Sequence, residues 1–129
     1  RQRRPRSARA RPPFEFDGTQ IRVGQGNNAF IFPGIGLGAI AAGADRITDT
    51  MFYAAAKALA ASVTDAEHAV GSLYPAIDRL TEVSRIVARA VMIDAANQGV
   101  AARLSDPEIQ RRLDGVTWCP DYPEYVPGN

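Results

Sequence analysis

Apolar positions recur at helical spacing through most of this chain, and the longest such segment is Glu82 to Gln98. Val83, Ile86, Val87, Ala90 and Val91 form a wide core face there, while Arg85, Arg89 and Asp94 fall on more polar aspects and Gly99 supplies a natural stop. An earlier helix opens at Thr48 or Asp49 and reaches about Ser62, with Phe52, Ala55, Ala56, Leu59 and Val63 on one side. Thr64-Asp65-Ala66-Glu67 then has the form of a capping box and starts a short helix that Tyr74-Pro75 breaks. Ser105-Asp106-Pro107-Glu108 opens a last helix to about Leu113. In front of all these, Phe14-Glu15-Phe16 and Thr19 to Val23 flank Asp17-Gly18, a pair that tolerates the positive φ of a two-residue turn and predicts a hairpin. The pattern therefore predicts a mostly α protein with a short β-hairpin.

One stretch breaks the amphipathic pattern. Val23 to Gly43 carries no charge and includes six glycines, with the carboxamides Asn27 and Asn28 at its front edge. Pro33 suits the first turn of a helix, where its missing N–H costs nothing. Gly34, Gly38 and Ala42, spaced by four, would give that helix a smooth stripe for close packing. Interior glycines each weaken a helix by about 1 kcal/mol relative to alanine, so packing must hold it and it should be internal. A membrane span needs roughly 20 apolar residues. The apolar part here, Ala29 to Ala44, is shorter and broken by Pro33 and four glycines, so a buried core helix is expected instead.

Length and charge narrow the picture. The 129 residues allow one domain with a modest core. The net charge of +1 conceals six arginines in the first eleven residues. Arg1 to Pro13 has no apolar period and reads as a disordered tail. A nucleic-acid arm would place arginines on phosphates, but no aromatic side chains are interleaved for base stacking. A solvated tail or a cloning or annotation artefact is the preferred reading. No apolar segment follows directly to make a secretory signal, although the arginines leave a transit peptide open. The opening at Arg1 leads to the expectation that the true beginning is absent. Cys119 is the single cysteine, which excludes an internal disulfide and fits a reducing, cytoplasmic setting.

Candidate chemistry is sparse. Gly24-x-Gly26-x-x-Ala29 matches a relaxed dinucleotide fingerprint, whose mechanism requires a helix to begin inside the motif so that its free N–H groups meet the pyrophosphate. Pro33 would disrupt a helix begun near Asn27, so Gly24 and Gly26 are read as points of close backbone approach rather than a pyrophosphate loop. By spacing alone, Asn27 and Asn28 suit turn residues that tolerate left-handed backbone. That reading is preferred on spacing; the alternative is that their neutral amides hold a polar small molecule at the mouth of a buried element. His68 lacks a second histidine or cysteine at ligand spacing and reads as a surface residue. Cys119 has nothing beside it to lower its pKa. Asp49, Asp65 and Glu67 fall at helix starts, where acids suit the dipole, and Asp45 lies close before one. Lys57, the sole lysine, has nothing recommending it as a base.

Gly24-Gln25-Gly26-Asn27-Asn28-Ala29-Phe30-Ile31-Phe32-Pro33-Gly34 resembles the GQGNN-x-x-x-FPG signature of malic enzymes, the NAD(P)-linked decarboxylating malate dehydrogenases. Gly71-Ser72-Leu73-Tyr74-Pro75 is similar to that family's G-x-L-Y-P, and a looser echo follows at Trp118, Pro120 and Tyr122. The resemblance implies the C-terminal part of an α/β Rossmann-type NAD(P)-binding domain plus terminal helices over residues 14–129, with residues 1–13 as the basic tail. It implies oxidation and decarboxylation of malate to pyruvate with NAD or NADP, assisted in the full-length family by Mg2+ or Mn2+ and carried out in dimers or tetramers. It also implies that Asn27 and Asn28 lie at the active-site cleft, near malate and the nicotinamide ribose. The family's general-base lysine, acidic tyrosine and Glu-Asp-Asp metal ligands have no counterpart here, so no catalytic or metal residue is assigned and the chain alone is expected to be inactive. A small-residue strand and a Gly-Ser-Pro-Phe turn usually precede the first signature, and Arg9-Ala10-Arg11-Pro12-Pro13 stands there instead, which motivates a frameshift hypothesis. The competing reading, from another class, is a small helical interaction module with a basic nucleic-acid-binding arm.

Overall fold

The computed structural model describes residues 13–21, 24 and 26–117. The arginine tail before Pro13 and the Trp118–Asn129 tail with Cys119 lie outside these described residues. Two strands, β1 (Phe14–Phe16) and β2 (Thr19–Ile21), pair antiparallel with Phe14 opposite Ile21 and Phe16 opposite Thr19. Asp17 and Gly18 both have positive φ, 49° and 73°, which gives the turn the twist that a two-residue hairpin requires.

Among the described residues five α-helices follow: α1 (Phe32–Ala42), α2 (Asp49–Ala61), α3 (Asp65–Ala69), α4 (Leu80–Asn97) and α5 (Asp106–Val116). Thr48 Oγ1 accepts from the Met51 N–H to start α2, and the Glu108 carboxylate accepts from the Ser105 N–H and hydroxyl to start α5. At the end of α4, the Gly99 and Val100 N–H groups close on Ala96 and Ala95 carbonyls in the reverse turn that the glycine permits. α5 runs three residues past its expected end at Leu113.

α4 is the central post, packed by α1 on one side and α2 on another. The α1 contact is very close. A Cβ added at Gly34 would lie 2.6 Å from Val87 Cβ, and one at Gly38 would lie 2.7 Å from the Ala88 carbonyl oxygen. The expected smooth stripe is therefore real, and its partner is α4.

Three expectations are corrected. On α4 the buried set is Val83, Ser84, Val87, Ala88, Val91, Met92 and Ala95, whereas Ile86 is exposed. Two flanking helices cover α4 from different sides, which shifts its interior sector away from Ile86. On α2 the inward residues are Met51 and Ala55, and Phe52 and Ala56 face out. The small residues of α2 allow close contact with α4, and the flexible Met51 rather than Phe52 fills the space inside. On α1, Gly34, Ile35, Gly38, Ala41 and Ala42 are buried, but Phe32 and Ile40 are 55% and 73% exposed. Only one side of this uniformly apolar helix is covered by the described residues. No described helix is long and apolar enough to cross a membrane.

Candidate functional site

Asn27 and Asn28 stand at the entrance to α1, as the sequence places them. Asn27 caps a 3-10 turn over Asn28–Phe30: its Oδ1 accepts from the Ala29 N–H at 3.0 Å, and its φ of −123° is extended. The only described non-glycine residue with positive φ is Asp17, so neither asparagine is used for left-handed backbone. Both are exposed. The turn leads directly into α1, which begins beyond the Gly24-x-Gly26 motif with Pro33 in its first turn. The motif consequently presents no helix N-terminus of its own to a pyrophosphate, in keeping with the rejection made from Pro33.

The two glycines do permit close approach, and what approaches is the chain itself. A Cβ at Gly24 would meet Ser72 Oγ at 3.1 Å, and a Cβ at Gly26 would meet the Tyr74 ring at 3.2 Å. Phe30 stacks on the same ring with centroids 6.2 Å apart. Gly71 lies under the hairpin, where a Cβ would meet Ile21 at 3.1 Å. Gly24, the segment Gly26–Phe30 and the segment Gly71–Tyr74, noticed separately in the sequence, thus form one packed unit that fixes where the amides emerge.

Glu67 holds this second segment in place. One carboxylate oxygen accepts from the Thr64 N–H (2.8 Å) and hydroxyl (3.0 Å) and from Arg79 (3.2 Å), and the other accepts from the Ala76 N–H at 2.7 Å. The Thr64 N–H does most to pull the Glu67 pKa down, to about 2, with the Ala76 N–H, the Thr64 hydroxyl and the Arg79 charge adding to it and partial desolvation opposing. Arg79 also donates to the Ser62 carbonyl at 2.9 Å and pairs with Glu82 at 2.9 Å, which joins the end of α2 to the start of α4. The Thr64–Glu67 spacing signalled the cap. The reach from Glu67 to Ala76 and Arg79 carried no sequence signal, because it depends on how the 70–76 loop folds back.

The remaining candidates are dispersed. His68 is exposed on α3, and Lys57 is exposed with its Nζ 5.7 Å from the Tyr53 ring centroid. Asp49, Asp65 and Glu67 lie in first helical turns, and Asp45 is exposed with its N–H on the Val100 carbonyl. Among the described residues no group of three or more His, Cys, Asp or Glu could hold a metal ion. The described residues do not fit a metal centre, and the glycine motif is already filled by Ser72 and Tyr74. What the site offers is a neutral pair of carboxamides, able to donate to a carboxylate and accept from a hydroxyl.

Comparison with known proteins decides the family. A family model described as "Malic enzyme, NAD binding domain" matches residues 8–96, well over half of the chain. The chain belongs to the malic enzyme family. The match opens inside the arginine-rich segment and closes within α4. The NAD-dependent malic enzyme of Aeromonas salmonicida (strain A449) is 42% identical over 113 residues, 88% of this chain and 20% of that protein. The corresponding enzyme of Edwardsiella ictaluri (strain 93-146) is 43% identical over 116 residues, and that of Psychromonas ingrahamii 40% identical over 114, with the same coverage. The chain thus spans about a fifth of the length of these malic enzymes.

Proposed function

We propose that this chain is the C-terminal part of the cofactor domain of an NAD-dependent malic enzyme, an oxidoreductase that converts malate to pyruvate and CO2. In this reading its fold is the end of a Rossmann-type domain with terminal helices. The Asn27 and Asn28 amides line one wall of the cleft, hydrogen-bonding malate and the nicotinamide ribose. Bound NAD would supply the hydride acceptor, and the chain's own residues would bind and orient without moving protons. Family membership carries the proposal, together with the packing of Gly24 and Gly26 on Ser72 and Tyr74, which gives the amides a fixed exit beside α1.

The groups that would move protons or hold Mg2+ or Mn2+ belong to the other four-fifths of such an enzyme, so the isolated chain should be inactive. Malate, NAD and Mn2+ added to the purified chain should give no absorbance of reduced cofactor; a robust rate would overturn this reading. The stronger test is a graft of residues 14–113 in place of the matching stretch of the Aeromonas salmonicida enzyme. The graft should form NADH from malate, and Asn27→Ala with Asn28→Ala should lower its kcat/KM by roughly 100-fold, the scale of losing two site hydrogen bonds. An active graft indifferent to both changes would remove the amides from the site.

A further inference from the structure

The two asparagines are flanked by Gly26 on one side and by Ala29-Phe30 on the other, and one ring touches both flanks. A Cβ at Gly26 would lie 3.2 Å from both Cζ and Oη of Tyr74. Phe30, 1% exposed, stacks on the same ring with the two planes 28° apart. Between these flanks the backbone holds little of its own. The Phe30 N–H donates to the Asn27 carbonyl and the Ile31 N–H to the Asn28 carbonyl, each at 3.1 Å, while the Asn27 side-chain cap is exposed. A single 3-10 turn has poor hydrogen-bond geometry and little stability by itself. Its position is therefore set by what it leans on.

Tyr74 is fixed in turn by its own loop. Ser72 Oγ donates to the Tyr74 carbonyl at 2.8 Å, Pro75 is buried, and the Ala76 N–H is held on Glu67 at 2.7 Å. The tyrosine is half-buried, which makes it a brace at the edge of the core rather than part of its centre. We propose that Tyr74 is a positioning residue: its ring braces the Gly26–Phe30 turn and sets the direction in which the Asn27 and Asn28 amides meet the substrate. This rests on the cleft-lining role proposed above for the amides. The brace works through the flat area of the ring and does not need the hydroxyl. Misplacing a binding group by about 1 Å can lower a rate by roughly 100-fold, so a loosened turn reaches the chemistry.

Two measurements test this. In the full 129-residue chain, amide hydrogen exchange followed by NMR reads the turn directly. Tyr74→Ala should speed exchange of the Phe30 and Ile31 N–H groups by roughly 10-fold, with the buried Val87 and Val91 of α4 unchanged. Tyr74→Phe should match the parent. If Tyr74→Ala also unprotects α4, Tyr74→Leu, which keeps bulk without a flat ring, takes its place and must give the same pattern. In the active graft, Tyr74→Ala should lower kcat/KM for malate by roughly 30-fold, and Tyr74→Phe should restore it. Once Asn27→Ala and Asn28→Ala are present, Tyr74→Ala should add no further loss, because the tyrosine acts through those amides. A mere loss of folded protein would instead lower kcat at constant KM and multiply with the amide changes. Parent-like exchange of Phe30 and Ile31 in the variant, a Phe variant as impaired as the Ala one, or strictly multiplicative losses would each overturn the proposal. A graft that needs its amides but tolerates Tyr74→Ala would fell this inference alone, whereas indifference to the amide pair would fell the cleft reading with it.

Discussion

Gly34 and Gly38 set the distance between the two best-packed helices. With a Cβ at either position 2.6 to 2.7 Å from an α4 atom, neither can gain a methyl group without moving α1 away. Gly38→Ala is the sharper case because the obstacle is the Ala88 carbonyl, which cannot rotate aside. It should destabilise by about 1–3 kcal/mol in urea titration, despite alanine's higher helix propensity. Gly36→Ala, with open space around its would-be Cβ, should be neutral or stabilising by about 1 kcal/mol. Glu67 yields a pH prediction. Its pKa falls from 4.5 to about 2 on folding, so its contribution is fully present above pH 4.5 and fades as the pH drops towards 2. Unfolding titrations of the parent chain and Glu67→Gln should differ by about 1 kcal/mol at neutral pH, screened by solvent on the open side, and converge near pH 2. A constant gap across that window would mean that Glu67 acts by shape. The glycine stripe was legible because its period is local. The environment of Glu67 was not, because its partners at 76 and 79 arrive through a loop whose path no periodicity records.

At the level of elements, α5 is secured by charge. Arg85 pairs with Asp114, Arg89 with Asp106 at 2.7 Å, and Arg112 donates to the carbonyls of Ala41 and Ala42 at the end of α1. Beneath these contacts only Ile109 and Leu113 of α5 are buried. Arg112→Ala should cost about 1 kcal/mol, since it removes a charged donor from the open C-terminal carbonyls of α1. Leu113→Ala should cost about 2–5 kcal/mol. Proteolysis at the 101–105 connection should rise more in the second variant, as α5 detaches locally. Helix existence and caps were readable here, because Thr48, Thr64, Ser105 and Gly99 announce their roles within four residues. On α2 Ala55 was read inward correctly but Phe52 stood in place of Met51, and on α4 Ile86 was read inward while Ser84, Ala88, Met92 and Ala95 were missed. Hydrophobic period identifies a stripe, but the number of neighbours decides how wide the buried sector becomes.

For the whole molecule, the uneven covering of α1 is the main consequence of the fold. Ile35 is buried and Ile40, five residues on, is 73% exposed. Ile35→Ala should lose about 2–5 kcal/mol. Ile40→Lys should stay within about 0.5 kcal/mol of the parent and reduce binding of a hydrophobic dye such as ANS. The family resemblance was legible from two short motifs, and the structure adds that they touch. The openness of one side of α1 was not legible, because a uniformly apolar helix gives no hint of which side a neighbour will take.

The contacts of α1 also fix an order of events during synthesis. Every long element that holds it, α4 and then α5, follows it in the chain, and Arg112 comes seventy residues after the carbonyls it satisfies. A ribosome would release this glycine-rich, uncharged stretch well before its supports exist. For that interval it is the segment most in need of a chaperone.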